Sequence, residues 1–187
     1  MLTLLRAVVV AATLLWAGGG VAAADPASLD DVAQSAATVD GWQVSAALTR
    51  MTINAVPNMA ETAFSREGFI TATATATLQG AGSKPVNSGV LRLSVQLGCQ
   101  TDVRAGMSLS VSVVPAVSVA LQPGAIYGEE LDAQAIKGPV TTISVHDAHV
   151  KVDGCGGPVS VRLIATAHIS TDTSGDTVNA YGDILHL

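Results

Sequence analysis

The chain has 187 residues, about half of them hydrophobic and only 13% charged, and a formal net charge of −6. An acidic chain is repelled by phosphate backbones, so nucleic acid is not an expected partner. After the first 24 residues, no segment has eighteen or more consecutive apolar residues, which argues against a membrane-spanning helix in that part of the chain. A form inserted in a bilayer would have to be a closed β-barrel.

The N-terminus has the composition of an export signal. One positive side chain, Arg6, precedes an apolar run from Ala7 through Ala17, and the small residues Ala22 to Ala24 come after it. This order, with an apolar run too short to span a bilayer, predicts a secretory signal peptide over residues 1–24. The mature chain, residues 25–187, would have a length that suits one domain. Without Arg6 it would carry eight Lys and Arg against fifteen Asp and Glu, a net charge of about −7.

The beginning of the mature chain has a different pattern from the remainder. From Asp25 to Thr38, the residues Leu29, Val32, Ala33 and Ala36 recur at spacings of three and four. This periodicity predicts a short amphipathic helix.

Alternation of apolar and polar residues predicts strands in most of the chain after Thr38. Every second residue from Ile70 to Leu78 is a threonine, so one face of this strand can pack while the other meets water. The other predicted strands are Val90 to Leu97, Met107 to Val113, Val117 to Leu121, Thr141 to His146, Val159 to Ala167 and Thr177 to Tyr181. Many short strands separated by Gly and Pro favour an all-β fold, an antiparallel β-sandwich in one domain.

The two cysteines of the chain are predicted to form a disulfide. Cys99 ends a predicted strand, and Cys155 lies between glycines in a predicted turn. Export would place them in an oxidising compartment, where a pair of thiols tends to be bridged. The alternatives are a metal-binding pair and a redox site, but two distant cysteines without CxxC spacing support neither.

Two stretches of sequence carry a family pattern. Val161 to Ala167 and Ser174 to Gly182 match the pattern ARLIAST.GDSVTTYG, and Ser65 to Phe69 stands where a TREWF motif precedes a strand. In these motifs the chain resembles the MspA-type porin family of mycobacterial and related envelopes, and the resemblance extends from Val39 onward. It implies a β-sandwich rim and one long hairpin in each subunit. Hairpins of several subunits would close into one barrel with an acidic constriction near its tip.

By position, the segment that corresponds to this hairpin is Ala105 to Pro123. Apolar residues alternate with small polar ones on either side of a turn at Val114 to Ala116. A transmembrane strand needs this alternation, since lipid touches one face and water the other. The candidate pore-lining residues on the polar faces are Ser108, Ser110, Ser112 and Ser118.

This segment is shorter and less acidic than the hairpin that the family pattern implies. A strand of about eight residues rises roughly 26 Å, or about 20 Å at a tilt near 40°, against a band of roughly 25 Å in known barrels. No Asp or Glu lies between Asp102 and Glu129, and no aromatic residue lies within the segment. The segment therefore predicts a short stem hairpin of an open, serine-lined barrel, or an ordinary sandwich hairpin with one buried face.

Two polar clusters are further candidate sites. Glu129, Glu130 and Asp132 are predicted to form an acidic loop, which would draw cations toward a channel vestibule or would be a solvated loop. His146 and His149 have the chemistry of metal ligands. Residues three apart on a strand face opposite sides, however, so we expect solvated or hydrogen-bonded histidines and no bound metal.

The sequence has none of the common catalytic motifs. GxSxG, HExxH and a phosphate-binding glycine loop are all missing, and the serine-rich runs lack a neighbouring base. We therefore expect neither an enzyme nor a cofactor, although a secreted hydrolase remains a third class. The resemblance implies a homo-oligomeric channel in the outer envelope, in contact with envelope lipid, for passive diffusion of small hydrophilic solutes. The alternative is a secreted or surface-associated sandwich that keeps the rim domain without a pore and serves as a binding or structural module.

Overall fold

The computed structural model describes residues 26–59, 61–100, 111–112 and 126–187, and every regular element within them is a β-strand. The strands are β1 Ala27–Ser28, β2 Val32–Ala37, β3 Gln43–Val56, β4 Ser65–Gln79, β5 Ser88–Cys99, β6 Val111–Ser112, β7 Ile126–Ala135, β8 Val140–Asp153, β9 Val159–Ser170, β10 Gly175–Tyr181 and β11 Leu185–His186. The predicted all-β fold is confirmed. In none of the described stretches is there a helix long and apolar enough to cross a bilayer. The predicted signal peptide lies outside them.

The strands form two antiparallel sheets. The six-stranded sheet has the order β1-β3-β4-β8-β6, and β2 also pairs with β3. The five-stranded sheet has the order β10-β9-β5-β7, and β11 also pairs with β9. β3, β4 and β8 are the long strands of the first sheet, and β5 and β9 are those of the second. Each sheet therefore has its longest strands at the centre and shorter strands at its margins.

The two sheets enclose one hydrophobic core, as the predicted sandwich requires. Alternate residues of the central strands face inward, because successive side chains of a strand point to opposite faces. Large side chains that are fully buried come from both sheets: Leu48, Met51 and Ile70 from the six-stranded sheet and Leu91, Leu93, Leu97, Leu163 and Ile169 from the five-stranded one. Burial of each such side chain stabilises the fold by roughly 1.5–3 kcal/mol.

Two β-bulges lie on either side of β4. In β3 the register shifts between Thr49 and Thr52, where Arg50 has a φ of 52°. In β8 the register with β4 shifts beside Asp147, which has a φ of 50°. Hydrogen bonds hold both irregular residues, since the Arg50 amide donates to Asp31 Oδ1 (3.1 Å) and the Asp147 amide donates to Thr71 Oγ1 (3.0 Å). A bulge adds one residue to a strand and so changes which residues face the core.

The helix predicted over Asp25 to Thr38 is wrong, because the structure has β1 and β2 there. Both strands pair with the same edge of β3. Most side chains of β2 are exposed, so the segment shows no alternation of buried and exposed residues. Leu29 and Val32 nevertheless pack against the core from this edge, and their spacing of three produced the helical pattern.

Candidate functional site

The end of the sandwich where the chain leaves and re-enters the five-stranded sheet is the candidate site, and we call it the stem end. The chain leaves this sheet at Cys99, the last residue of β5, and re-enters it at Ile126, which pairs with Gly98 of β5. Between them, Val111–Ser112 pairs with Val152 and Lys151 of β8, in the other sheet. Residues 111–112 of the predicted stem hairpin thus pair with the six-stranded sheet, while the strands that precede and follow the hairpin in sequence, β5 and β7, belong to the five-stranded sheet.

The predicted pore-lining serines belong to this segment. Ser108, Ser110 and Ser118 lie outside the described residues, as does most of the range 105–123. Of Ser112 the structure gives the backbone, which pairs with Lys151. The role of the four serines stays a prediction.

The predicted disulfide is present at the stem end. Cys99 and Cys155 are bonded, with their Cα atoms 5.7 Å apart, and both residues are buried. Cys155 lies in the turn between β8 and β9, and its amide donates a hydrogen bond to the Phe64 carbonyl (2.9 Å) just before β4. The bond thus joins the end of β5 to a turn that also contacts the six-stranded sheet.

The acidic residues 129, 130 and 132 lie in strand β7, not in the predicted loop. Glu129 accepts a hydrogen bond from the Tyr127 hydroxyl (2.5 Å). Glu130 forms an ion pair with Arg92 of β5 (2.8 Å). Asp132 accepts a hydrogen bond from the Ala133 amide (2.8 Å), next to a bulge in the pairing of β5 with β7. Each carboxylate therefore has its own partner, and the three do not form a single cluster.

Tyr127 shows how closely this edge strand is held. Its ring packs against the core, while its hydroxyl contacts Glu129. Burial, with a further contribution from the hydrogen bond to Glu129 and its negative charge, raises the pKa of Tyr127 to about 12. The phenol is therefore neutral at physiological pH and serves as a donor.

Sequence reasoning missed a polar cluster on the outer face of the six-stranded sheet. Glu67 of β4 and His149 of β8 are diagonal neighbours, since His149 is opposite Phe69, and their Oε1 and Nε2 atoms are 2.6 Å apart. The Phe69 and His149 rings lie 5.2 Å apart. The cluster continues toward the stem end, where Ser65 donates to Asp153 (2.6 Å). Three of these residues belong to the Ser65 to Phe69 motif, so this motif was the feature of the sequence from which the cluster could have been predicted.

The two histidines of β8 are placed differently from the prediction. The bulge at Asp147 lies between His146 and His149, so a spacing of three no longer puts the two residues on opposite faces. His146 is exposed, and His149 is half-buried against Glu67. In the described stretches, no group of three or more His, Cys, Asp or Glu side chains is arranged to hold a metal ion.

At the end of the sandwich opposite the stem end, which we call the far end, Asp40 joins two turns. It lies in the turn between β2 and β3. Its carboxylate accepts hydrogen bonds from the hydroxyls of Thr171, Thr173 (2.8 Å) and Ser174 (2.9 Å), all in the turn between β9 and β10. These hydrogen bonds, that from Thr171 first, hold the pKa of Asp40 below its usual value. The start of the region that carries the family pattern is thus in direct contact with the turn at the start of its C-terminal motif.

The model of the MspA family matches residues 40–185, which include β3 through β10 and the segment at the stem end. No curated protein matches the chain. The family match begins at Asp40 and covers both sheets of the sandwich. Because it extends over well more than half of the sequence, the chain belongs to the MspA family.

Proposed function

We propose that the protein is a porin of the outer envelope, a homo-oligomeric channel through which small hydrophilic solutes diffuse passively. The match of the MspA family to residues 40–185 is the observation that carries this proposal, since members of this family are porins and not enzymes. In this proposal residues 1–24 are removed on export and residues 25–187 form the subunit. The channel needs no cofactor.

The topology of the stem end supports the proposal. The chain leaves and re-enters the five-stranded sheet on adjacent strands, β5 and β7, as a projecting hairpin would require. Irregular or unpaired backbone is costly in lipid, so a hairpin crossing the envelope would have to join those of other subunits in a closed barrel. Ser108, Ser110, Ser112 and Ser118 would then line its aqueous face.

Planar-bilayer recording on the purified mature protein tests the proposal. We expect discrete current steps from a heat-resistant oligomer, and we expect Ser110→Arg to lower the conductance because a bulky cation would enter the lumen. Ser88→Arg is the matched control, since Ser88 is exposed at the far end of β5. A folded protein that never conducts would contradict the channel.

One observation favours the alternative, a sandwich that keeps the rim domain and lacks a pore. Val111–Ser112 adds a short strand to the edge of the protein's own six-stranded sheet. If this pairing is retained in the working state, a freely secreted monomer without conductance is expected. Bilayer recordings on the wild type therefore decide between the two functions.

A further inference from the structure

A groove lies on the outer face of the five-stranded sheet at the stem end. It has a volume of about 490 Å³, and Gly98 of β5 and Ser160 of β9 form part of its floor. A Cβ atom added to Gly98 would meet only the Ser160 Cβ, at 3.9 Å. At Gly98 the surface of β5 is therefore open to the groove.

Two exposed isoleucines border the groove. Ile126 is 67% exposed and Ile184 is 55% exposed, although most large apolar side chains among the described residues are buried. Exposed apolar side chains grouped around a depression are typical of a contact surface for another molecule. A cavity of about 150 Å³ accepts benzene, so this groove has room for bulky side chains.

A positive charge lies beside the groove. Arg162 lines a smaller adjoining cavity, which shares Gly98, Ile126, Ser160 and Ile184 with the groove. There Gln96 Oε1 accepts hydrogen bonds from its Nε (3.2 Å) and Nη2 (2.8 Å). The guanidinium also lies 5.3 Å from the centre of the Tyr181 ring. Among the described residues that line the groove, none is acidic. A partner with an anionic group beside apolar side chains would therefore suit it.

An anionic group beside exposed apolar side chains lies at the same end of the sandwich, in the connection between β3 and β4. Met59 is 94% exposed and Phe64 is 50% exposed, and Glu61 is the single charged residue from position 57 to 64. Asn58 braces the connection, because its side chain donates to the Thr62 carbonyl (3.0 Å) and accepts from the Thr62 amide (3.0 Å). We call Met59, Glu61 and Phe64 the apolar knob.

We propose that the apolar knob of one copy of this chain enters the groove of a second copy, with Glu61 beside Arg162. This inference rests on the proposed oligomeric channel and names the contact that builds it. The knob and the groove belong to different sheets, so the contact joins two unlike surfaces and leaves one of each free. A contact of this kind repeats from subunit to subunit. It closes into a ring when the rotation that relates neighbouring subunits adds up to a full circle.

Sedimentation and native mass spectrometry of the full mature protein in detergent test the contact. Met59→Glu in the knob and Ile184→Glu in the groove should each raise the dissociation constant of the oligomer by about tenfold or more. Val39→Glu is the matched control, because Val39 is 89% exposed at the far end of the sandwich. Circular dichroism shows whether each variant is folded.

A charge exchange tests the pairing of residues. Glu61→Arg and Arg162→Glu should each weaken the oligomer, and the double variant should restore it, although Arg162→Glu also loses its bonds to Gln96. Failure of the double variant to restore assembly would overturn the proposal. So would an oligomer weakened only by the groove variants, since another segment would then occupy the groove.

The contact and the channel can fail separately. If the wild-type oligomer conducts and the knob and groove variants assemble normally, the contact is wrong and the channel stands. If the knob and groove variants dissociate but the intact oligomer never conducts, the contact stands and the channel is wrong. A wild-type protein that is monomeric at every concentration would overturn the contact.

Discussion

Asp40 is a residue whose hydrogen bonds make the stability of the fold depend on pH. Its folded pKa lies below the usual value of 3.8, since the hydroxyls of Thr171, Thr173 and Ser174 stabilise the carboxylate. A group with a lowered folded pKa contributes stability that is present above the unfolded pKa. That contribution is lost as the pH falls through the folded pKa.

We therefore predict that the free energy of unfolding falls as acid protonates Asp40, and that Asp40→Asn removes this part of the pH dependence. Chemical denaturation between pH 2 and 7, with an NMR titration of the Asp40 carboxyl, measures both effects. Asp183→Asn is the control, since Asp183 is exposed near the stem end. An Asp40 titration at or above the usual value would contradict the prediction.

Tyr127 provides a second prediction at the scale of one residue. Because burial and Glu129 raise its pKa to about 12, it should ionise well above the usual value of 10.0. The chain has one other tyrosine, Tyr181, so a Tyr181→Phe variant isolates the signal in an ultraviolet absorbance titration. The folded form loses stability as the pH rises from 10 toward 12, because only the unfolded chain ionises there. A midpoint near 10 in the folded protein would show that the Tyr127 hydroxyl is neither buried nor bonded to Glu129.

At the scale of the element, strands with regular alternation were predictable and bulged strands were not. Ile70 to Leu78 and Val159 to Ala167 lie within β4 and β9 as predicted. β3 was missed because its bulge at Arg50 moves the buried set from Val44, Ala46 and Leu48 to Met51 and Ile53. The loop predicted in place of β7 is wrong because an edge strand with individual side-chain partners accommodates Gly, Asp and Glu, which are rare in strands. The groove was beyond prediction, since it depends on which strands become neighbours.

The disulfide gives a prediction for the link between β5 and the β8–β9 turn. The two cysteines are 56 residues apart, and closing a loop of that size stabilises the fold by about 4 kcal/mol in the chain-entropy model. Reduction should lower the free energy of unfolding by about this amount. A double variant with Cys99→Ala and Cys155→Ala should be equally destabilised and insensitive to the reductant. An unchanged unfolding curve after complete reduction would contradict the prediction.

The contact between two turns at the far end gives another prediction. A Cβ atom at Gly82 would lie 2.1 Å from Trp42 Nε1, which donates to the Lys84 carbonyl (2.8 Å). Gly82→Ala should therefore displace the indole, shift its fluorescence and destabilise the fold by about 1 kcal/mol. Gly138→Ala is the matched control, because nothing lies within 4 Å of its added Cβ. Equal spectra for the two variants would show that Trp42 does not cover Gly82.

At the scale of the whole molecule, the acidic strand β7 gives a prediction for the proposed channel. If an oligomer places Glu129, Glu130 and Asp132 at its mouth, their charges raise the local concentration of cations. We expect a cation-selective current. Replacement of the three carboxylates by amides, in Glu129→Gln, Glu130→Gln and Asp132→Asn, should reduce that selectivity. Reversal potentials under a salt gradient measure it, with Asp172→Asn at the far end as the control. Equal permeability to both signs in the wild type would rule out the vestibule.

The paired bulges beside β4 also determine how the sheet responds to a change in chain length. In β3, even-numbered residues face the core before Arg50 and odd-numbered residues face it afterwards, and in β8 the order is the opposite. At each bulge the strand thus changes which residues face the core, from even-numbered to odd-numbered or the reverse. Deleting a single residue at a bulge would leave the length of one of the two halves of the strand unchanged. The apolar side chains of that half would, however, turn toward water. In a cysteine-labelling scan along β3, every second position should accordingly be accessible to the label, and this alternation should shift by one residue at position 50.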